Sequence, residues 1–271
     1  MDLQLQGHVV LVTGGSKGIG LAAAKMFAAE GAHVAIVARN RDDLESAGRE
    51  ITEAGQRARV PGTVAALTGD LSAPDVPSRV VREVEDSLGP IDVLVNNVGR
   101  AYQATFEEVT DEQWDELWQL NVMSYVRMTR AVVPSMRARS TGAIVHVSST
   151  AGKRPSVGMA NYSVTKAAVQ SLARLVADTY AVDGIRSLSI CPGPTTSEAW
   201  MDEGGLADQV GTAKGITREQ ALAATGKGRP MGRMATPEEI ASAIVFAASP
   251  RASYVTGAAW SVDGGTVPVI I

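Results

Sequence analysis

Short apolar runs rich in Val, Ile and Ala recur along the chain. Longer stretches separate them, in which apolar positions return every three or four residues. The runs lie at 8–13 ("HVVLVT"), 33–38 ("HVAIVA"), 64–69 ("VAALTG"), 91–97 ("IDVLVNN"), 143–149 ("AIVHVSS"), 185–191 ("IRSLSIC") and in the closing "AAWSVDGG". Their length and β-branched content predict strands. The intervening periodicity predicts helices running up to residue 30, over 42–53, 75–88, 111–136 and 237–248, and a long one ending near 182. Strands that are apolar on both faces need cover on both sides, which a parallel sheet between helix layers provides. Strand–helix alternation from end to end predicts one α/β domain over 1–271, a doubly wound parallel sheet of about seven strands with helices on both faces. Only 195–233 lacks a strand signal. Its glycines ("DEGGLADQVGTAKG") break the periodicity and predict a mobile, partly helical excursion over the site.

Composition narrows the function. Of 271 residues, 45% are hydrophobic and 20% charged, as in a soluble globular chain. Aromatics make up 4%, so close helix-on-sheet packing is favoured over an aromatic nucleic-acid platform. A formal charge of -4 gives no electrostatic case for nucleic acid or an anionic membrane. The single cysteine, Cys191, allows no intrachain disulfide and reads as a core thiol between "SLSI" and Pro192. His8, His33 and His146 are scattered without metal-ligand spacing, so no metal site is expected. There is no signal-peptide pattern and no apolar stretch of the ~18 residues a membrane span requires, so a cytoplasmic location is expected.

"TGGSKGIG", residues 13–20, follows the first strand and opens the first helix. Gly14, Gly18 and Gly20 let the backbone approach a pyrophosphate, and the helix N-terminus offers free N–H groups with a positive dipole end. Ser16, Lys17 and Ile19 complete the loop's expected contacts. The strand before and the helix after supply the context that a dinucleotide fingerprint demands. The second strand ends in Arg39 and Asn40, where an NAD enzyme usually carries an acid. With Lys17 in the loop, two cations would converge on a 2′-phosphate, which favours NADP(H) over NAD(H). A solvated surface pair is the alternative for these cations. Tyr162 and Lys166 stand four apart in a helical pattern; alone, the spacing fits either a packing pair or a phenol tuned by an ammonium.

Taken together the motifs resemble the short-chain dehydrogenase/reductases, in their classical subgroup. The resemblance covers nearly the whole chain: "TGGSKGIG", "GDL" (69–71), "NNVG" (96–99), "LNV" (120–122), "VSSTAG" (147–152), "YSVTK" (162–166), "CPGP" (191–194) and "VDGG" (262–265). It implies that Asp70 and Leu71 border the adenine, that Asn97 and Gly99 line the adenosine side, and that Pro192, Gly193 and Thr195 flank the nicotinamide. It implies a catalytic group of Asn121, Ser149, Tyr162 and Lys166, with Tyr162 and Lys166 also against the cofactor. Ser149, thirteen residues before Tyr162, takes the family serine position rather than Ser148. Asn121 is family-assigned to a water-mediated proton path to Lys166. Two departures are small: "NNVG", where alanine is commoner, and His146, where asparagine is usual.

The chemistry explains the set. Hydride transfer to a ketone leaves an alkoxide that needs a proton, and a free phenol with pKa about 10 carries protons sluggishly near neutrality. A neighbouring ammonium is expected to draw the Tyr162 phenol down towards working pH. Ser149 would donate to the substrate oxygen. The expected activity is an NADP(H)-dependent carbonyl/secondary-alcohol oxidoreductase, a ketone or 3-oxoacyl-type reductase in general texture. The alternatives are an NAD-dependent sugar, polyol or diol dehydrogenase and, remotely, a non-catalytic dinucleotide-binding protein. Trp200, Met201 and Met231 fit either an apolar pocket or lid packing. The resemblance implies a homotetramer built on the two long helices, with the tail "TVPVII" docking on a neighbouring subunit.

Overall fold

The computed structural model describes residues 2–268. In chain order its main elements are β1 (Val9–Thr13), α1 (Gly18–Ala29), β2 (His33–Ala38), α2 (Arg41–Gly55), β3 (Val64–Thr68), α3 (Val76–Leu88) and β4 (Val93–Asn96). There follow α4 (Asp111–Trp118), α5 (Ser124–Arg139), β5 (Gly142–Val147), α6 (Ala160–Tyr180), β6 (Ile185–Pro192), α7 (Glu198–Met201), α8 (Leu206–Lys214), α9 (Arg218–Lys227), α10 (Pro237–Ala248) and β7 (Ala259–Val262). The strands pair in parallel in the order β3-β2-β1-β4-β5-β6-β7.

Alternate strand residues face opposite layers, as the two-sided apolar pattern requires. Val10, Val12, Val34 and Ile36 join a core with α1, α2 and α10. Leu11, Val37, Leu94 and Ile144 join the other, with α3, α5 and α6. The chain leaves β1 for β2 and β3, then returns across β1 to β4. That reversal opens a crevice beyond the carboxyl ends of the strands, where this architecture binds ligands.

Three boundaries depart from the expected ones, and each bears on the site. The runs at 91–97 and 143–149 stop being strands at Asn96 and Val147, so Asn97 and Ser149 lie just past strand ends, in the crevice. The helix expected over 111–136 extends to Arg139 but is interrupted by a π-helical turn, Gln119–Met123. There the Ser124 N–H reaches back five residues to the Gln119 carbonyl, and the Ser124 hydroxyl takes the Leu120 carbonyl. The excursion 195–233 folds as α7, α8 and α9, separated by bends at Gly204 and Gly215, both at positive φ. Of the tail "TVPVII", positions 269–271 lie outside the described residues. Among the described residues no helix is long and apolar enough to cross a membrane.

Candidate active site

The glycine loop is built for close approach. Gly14 and Gly18 adopt left-handed conformations, φ +64° and +54°. A Cβ on Gly20 would lie 2.2 Å from the Gly14 carbonyl oxygen, so no side chain fits there. Helix α1 begins at Gly18 with no side-chain cap and no acid in its first turn. Helices α2, α4, α9 and α10 are capped, by Asn40, Thr110, Thr217 and Thr236. Helices α3, α6 and α8 share with α1 the lack of a side-chain cap; what sets α1 apart is the glycine loop that leads into it. The leading N–H groups of α1 are therefore left for an external acceptor, and a pyrophosphate fits the cradle. Asn97 fastens the loop: its Nδ2 donates to the carbonyls of Thr13 (2.9 Å) and Gly14 (3.1 Å), while Thr13 Oγ1 accepts from the Asn97 and Val98 N–H groups. The Asn97 amide is thus bound to the loop rather than free on an adenosine face. Ser16 and Ile19 are half-buried beside it, Ile19 packing on the core.

At the end of β2 the two expected cations part company. Arg39 is exposed, and its charge helps to hold the nearby Asp70 carboxyl low, after the larger effect of the Ser72 hydroxyl. Lys17, instead, forms an ion pair with Asp43 (Nζ–Oδ2 3.0 Å), and that hydrogen bond raises its pKa. Of the two cations expected to converge on a 2′-phosphate, one is thus already faced by Asp43, in the first turn of α2. Asn40 serves as the α2 cap, its Oδ1 accepting from the Asp43 N–H at 3.0 Å. Leu71 is buried beside Asp70, whose carboxylate accepts from the Ser72 N–H and hydroxyl.

Strand β5 and helix α6 bring Ser149, Tyr162 and Lys166 together. The two adjacent serines separate cleanly. Ser148 is buried and donates to the Lys166 carbonyl (2.7 Å); Ser149 is half-exposed, and its hydroxyl lies against the Tyr162 phenol and accepts from the Ala151 N–H (3.1 Å). Lys166 is buried, donates to the Val147 carbonyl at 2.8 Å, and sits 5.7 Å from the Tyr162 ring centroid. Burial pushes the Lys166 ammonium down to about 8. Burial also pushes the Tyr162 phenol up, with the Ser149 hydroxyl opposing and Cys191 adding to the rise. This corrects the expectation of an acidified Tyr162: i, i+4 spacing brings the ammonium near the ring, but burial of the phenol is the leading effect on its titration.

Asn121 lies in the π-helical turn, fully buried. Its Oδ1 accepts from the Arg100 N–H (3.0 Å), and its Nδ2 donates to the Arg100 carbonyl (3.0 Å) and to Thr165 Oγ1 (3.2 Å). A Cβ added at Gly99 would stand 3.2 Å from Asn121 Oδ1 and 3.5 Å from Lys166 Nζ, so this bend joins the two. Pro192 ends β6 beside the crevice, Gly193 follows it, and buried Thr195 donates to the Gly193 carbonyl at 3.0 Å. The Glu198 carboxylate of α7 lies against Gly18, where an added Cβ would be 3.0 Å from it. Met201 and Met231 point largely outward, at 41% and 62% exposure, whereas Trp200 is half-buried.

Some participants were not singled out from the sequence. Thr13, inside the glycine-loop motif, ties that loop to Asn97. Gln170 donates to Ser148 Oγ and to the Ser149 carbonyl, at 3.1 and 3.2 Å. Its spacing of four from Lys166 and eight from Tyr162 was the available signal. Tyr125, one turn after Asn121, had none.

Comparisons with known proteins give the family and the fold. A short chain dehydrogenase family model matches residues 8–204. A 3-oxoacyl-[acyl-carrier-protein] reductase of Thermotoga maritima is 35% identical over 265 residues, 98% of this chain and 100% of the relative. The crystal structure of L-sorbose reductase from Gluconobacter frateurii, complexed with NADPH and L-sorbose, superposes with TM-score 0.91 at 37% identity over 100% of both chains. An actinorhodin polyketide ketoreductase with NADPH superposes at 0.89, with 31% identity over 96% of this chain and 97% of that one. The chain belongs to the short-chain dehydrogenase family, and is an oxidoreductase acting on CH–OH donors with NAD(P).

Proposed function

We propose that the protein is an NADP(H)-dependent reductase of ketones, with 3-oxoacyl-type compounds as its leading substrate class. One observation carries this reading: a buried ammonium, Lys166, beside a phenol, Tyr162, and a hydroxyl, Ser149, at the carboxyl ends of β5 and β6, facing the same crevice as the uncapped α1. A bound nicotinamide would supply a hydride to the carbonyl carbon. Ser149 donates a hydrogen bond to the carbonyl oxygen, a contact worth about 3 kcal/mol of barrier when the oxygen becomes negative. Tyr162 delivers the proton to that oxygen. Lys166 holds positive charge beside the phenol and the ribose, and stabilises the phenolate left behind. Asn121 holds the 99–100 bend against Lys166 and stands at the mouth of the proton path. Gly14, Ser16, Gly18, Ile19 and Gly20 seat the pyrophosphate, Arg39 the 2′-phosphate, Asp70 and Leu71 the adenine, and Pro192, Gly193 and Thr195 the nicotinamide. The 195–233 helices close over the substrate.

The L-sorbose reductase likeness over the whole chain supports a second substrate reading, a polyhydroxy ketone. The Lys17–Asp43 pair supports the NAD(H) alternative, because it leaves Arg39 with less help on a 2′-phosphate. Initial rates with NADPH and NADH on β-keto esters, cyclic ketones and ketoses decide among them. Turnover on none of these, with NADPH bound, overturns the enzymatic assignment. We also infer a homotetramer in the cytoplasm; a monomer by light scattering at micromolar concentration refutes the assembly.

A further inference from the structure

Lys166 is a buried cation without a carboxylate. Among the described residues it makes no ion pair, and its one hydrogen bond is to the Val147 carbonyl. The titratable groups packed around it give no counter-charge near neutrality. Burial keeps the His146 ring of β5 neutral down to about 3 and raises the Cys191 thiol of β6 and the Tyr162 phenol of α6. From the π-helical turn, Asn121 offers only a neutral amide, already bonded to Arg100 and Thr165. An ammonium in such a place needs another source of negative potential.

Tyr125 of α5 supplies one. It is wholly buried, and its ring centroid lies 5.3 Å from Lys166 Nζ, nearer than the Tyr162 ring. Its hydroxyl donates to the Val147 carbonyl at 3.1 Å, the same oxygen that accepts from Lys166 at 2.8 Å. The His146 ring stacks on Tyr125 at 5.9 Å between centroids, 30° from parallel. The phenol is therefore fixed at two points, by the shared carbonyl and by the stacked imidazole, with its face towards the ammonium. A ring held in that way is a cation–π floor, and such contacts strengthen when the cation is desolvated.

We propose that Tyr125 is a positioning residue for Lys166: its face holds the ammonium in place between the Val147 carbonyl and Tyr162, and its hydroxyl fixes the ring to the same carbonyl. The consequence for catalysis rests on the role assigned to Lys166 above; the contact itself does not.

The test reads Lys166 directly. Protein labelled with ¹³Cε-lysine is titrated by NMR, without cofactor, as wild type and with three replacements at 125: Tyr125→Phe, Tyr125→Met, and pentafluorophenylalanine, which keeps the shape of the ring but drains its face of negative charge. Tyr125→Phe keeps the face, so the Lys166 midpoint is expected within about 0.3 pH unit of wild type. The fluorinated ring and Met lose the face, and each is expected to lower the midpoint by about one unit, a tenfold loss of the charged form's advantage. NADPH affinity by fluorescence titration at pH 9, where a one-unit shift lowers the charged fraction of Lys166 about ninefold, should weaken about tenfold in the same two variants and less than about threefold in Tyr125→Phe. An unmoved midpoint in the fluorinated variant overturns the proposal, whatever Met does to folding. A shift of equal size in Tyr125→Phe also overturns it, since the hydroxyl and not the face would then hold the ammonium. A shifted midpoint with unaltered ketone turnover upholds the contact and removes Lys166 from the mechanism, so the two failures are separate.

Discussion

The fold takes two cations out of bulk water without giving either a carboxylate among the described residues, and treats them differently. Arg186, in β6, donates from Nη1 to the carbonyls of Ala247 (2.8 Å) and Val255 (3.2 Å), and from Nη2 to those of Ala248 (2.9 Å) and Ser249 (3.1 Å). Its fork closes the C-terminal end of α10, where orphan carbonyls carry the negative end of the helix dipole. Lys166 has one carbonyl and two aromatic faces. Burial lowers both pKa values, but only the lysine is brought near neutrality, at about 8. The guanidinium stays charged throughout the working range and can be saturated by fixed acceptors; the ammonium is left under-coordinated and able to exchange partners. A fully satisfied charge belongs to structure, and a deliberately under-satisfied one to chemistry.

Exchanging each cation for methionine is the strongest way to break that contrast. Lys166→Met is expected to lower kcat/KM by about 10²–10⁴-fold, the usual span of general acid–base assistance. Its thermal midpoint should hold or rise, because an apolar side chain replaces a buried charge. Arg186→Met should do the reverse. Stripping a charged donor from four carbonyls is expected to cost about 3 kcal/mol, read as a thermal midpoint lower by roughly 6–10 °C. Turnover per folded molecule should stay within about twofold. If Arg186→Met loses activity at full stability, or Lys166→Met loses stability at full activity, the division of labour is wrong.

A third buried base, His146, sharpens the comparison from the acid side. Its Nδ1 lies 3.3 Å from Asn96 Nδ2 and accepts from it; its Nε2 and Asn96 Oδ1 are buried without partners. No site around the ring welcomes a second proton, and burial, helped by Lys166, lowers its pKa to about 3. Between pH 6.5 and 3 the unfolded chain binds a proton that the folded chain refuses, so stability falls as pH falls through that window. The slope is about 1.4 kcal/mol per pH unit, or about 2 kcal/mol lost by pH 5. Urea midpoints measured from pH 7 to 5 should show this slope in wild type and a flatter one in His146→Asn. Equal slopes would mean that the ring finds a proton acceptor in the folded protein.

These contrasts also mark what can be read from the chain. The sheet was legible because its inner strands β1, β2, β4 and β5 carry near-continuous apolar runs, a pattern that two covering layers satisfy. Gly14, Gly18 and Gly20 were legible because the steric demand at a pyrophosphate loop falls on single residues. The choice of Ser149 over Ser148 was legible only through the family resemblance, whose serine stands thirteen residues before the tyrosine, and the structure turns only Ser149 towards the phenol. The π-helical turn at Asn121 was not, since shifting one hydrogen-bond register leaves the apolar period nearly unchanged. The Lys17–Asp43 pair joins the glycine loop to the first turn of α2, and the rise in the Tyr162 pKa comes from burial beside Ser149 and Cys191; neither is a local property. The Tyr125 floor needs three elements to converge on one carbonyl, so no window of sequence contains it.

The smallest expected effect is on the alkaline side, and it separates the two cations without changing catalysis. Below pH 8 Lys166 is protonated in both folded and unfolded protein, and the whole penalty of burying its charge is present. Above 8 the folded protein releases the proton first, while the unfolded lysine keeps it up to about 10.5. The unfolded chain then binds more protons, so this group makes stability rise with pH, by about 1 kcal/mol between pH 8 and 9. Tyr125, Tyr162 and Cys191, whose pKa values are raised, pull the other way once unfolded phenols and thiols ionise, so the absolute curve mixes all four. The difference between wild type and Lys166→Met isolates the lysine, because the other three are present in both proteins. That difference should grow in favour of wild type from pH 8 to 9 in chemical denaturation, and Arg186→Met should track wild type in slope over the same interval. A flat difference would place Lys166 in contact with water or a fixed anion, and would erase the distinction between a charge the fold has satisfied and one it has left open.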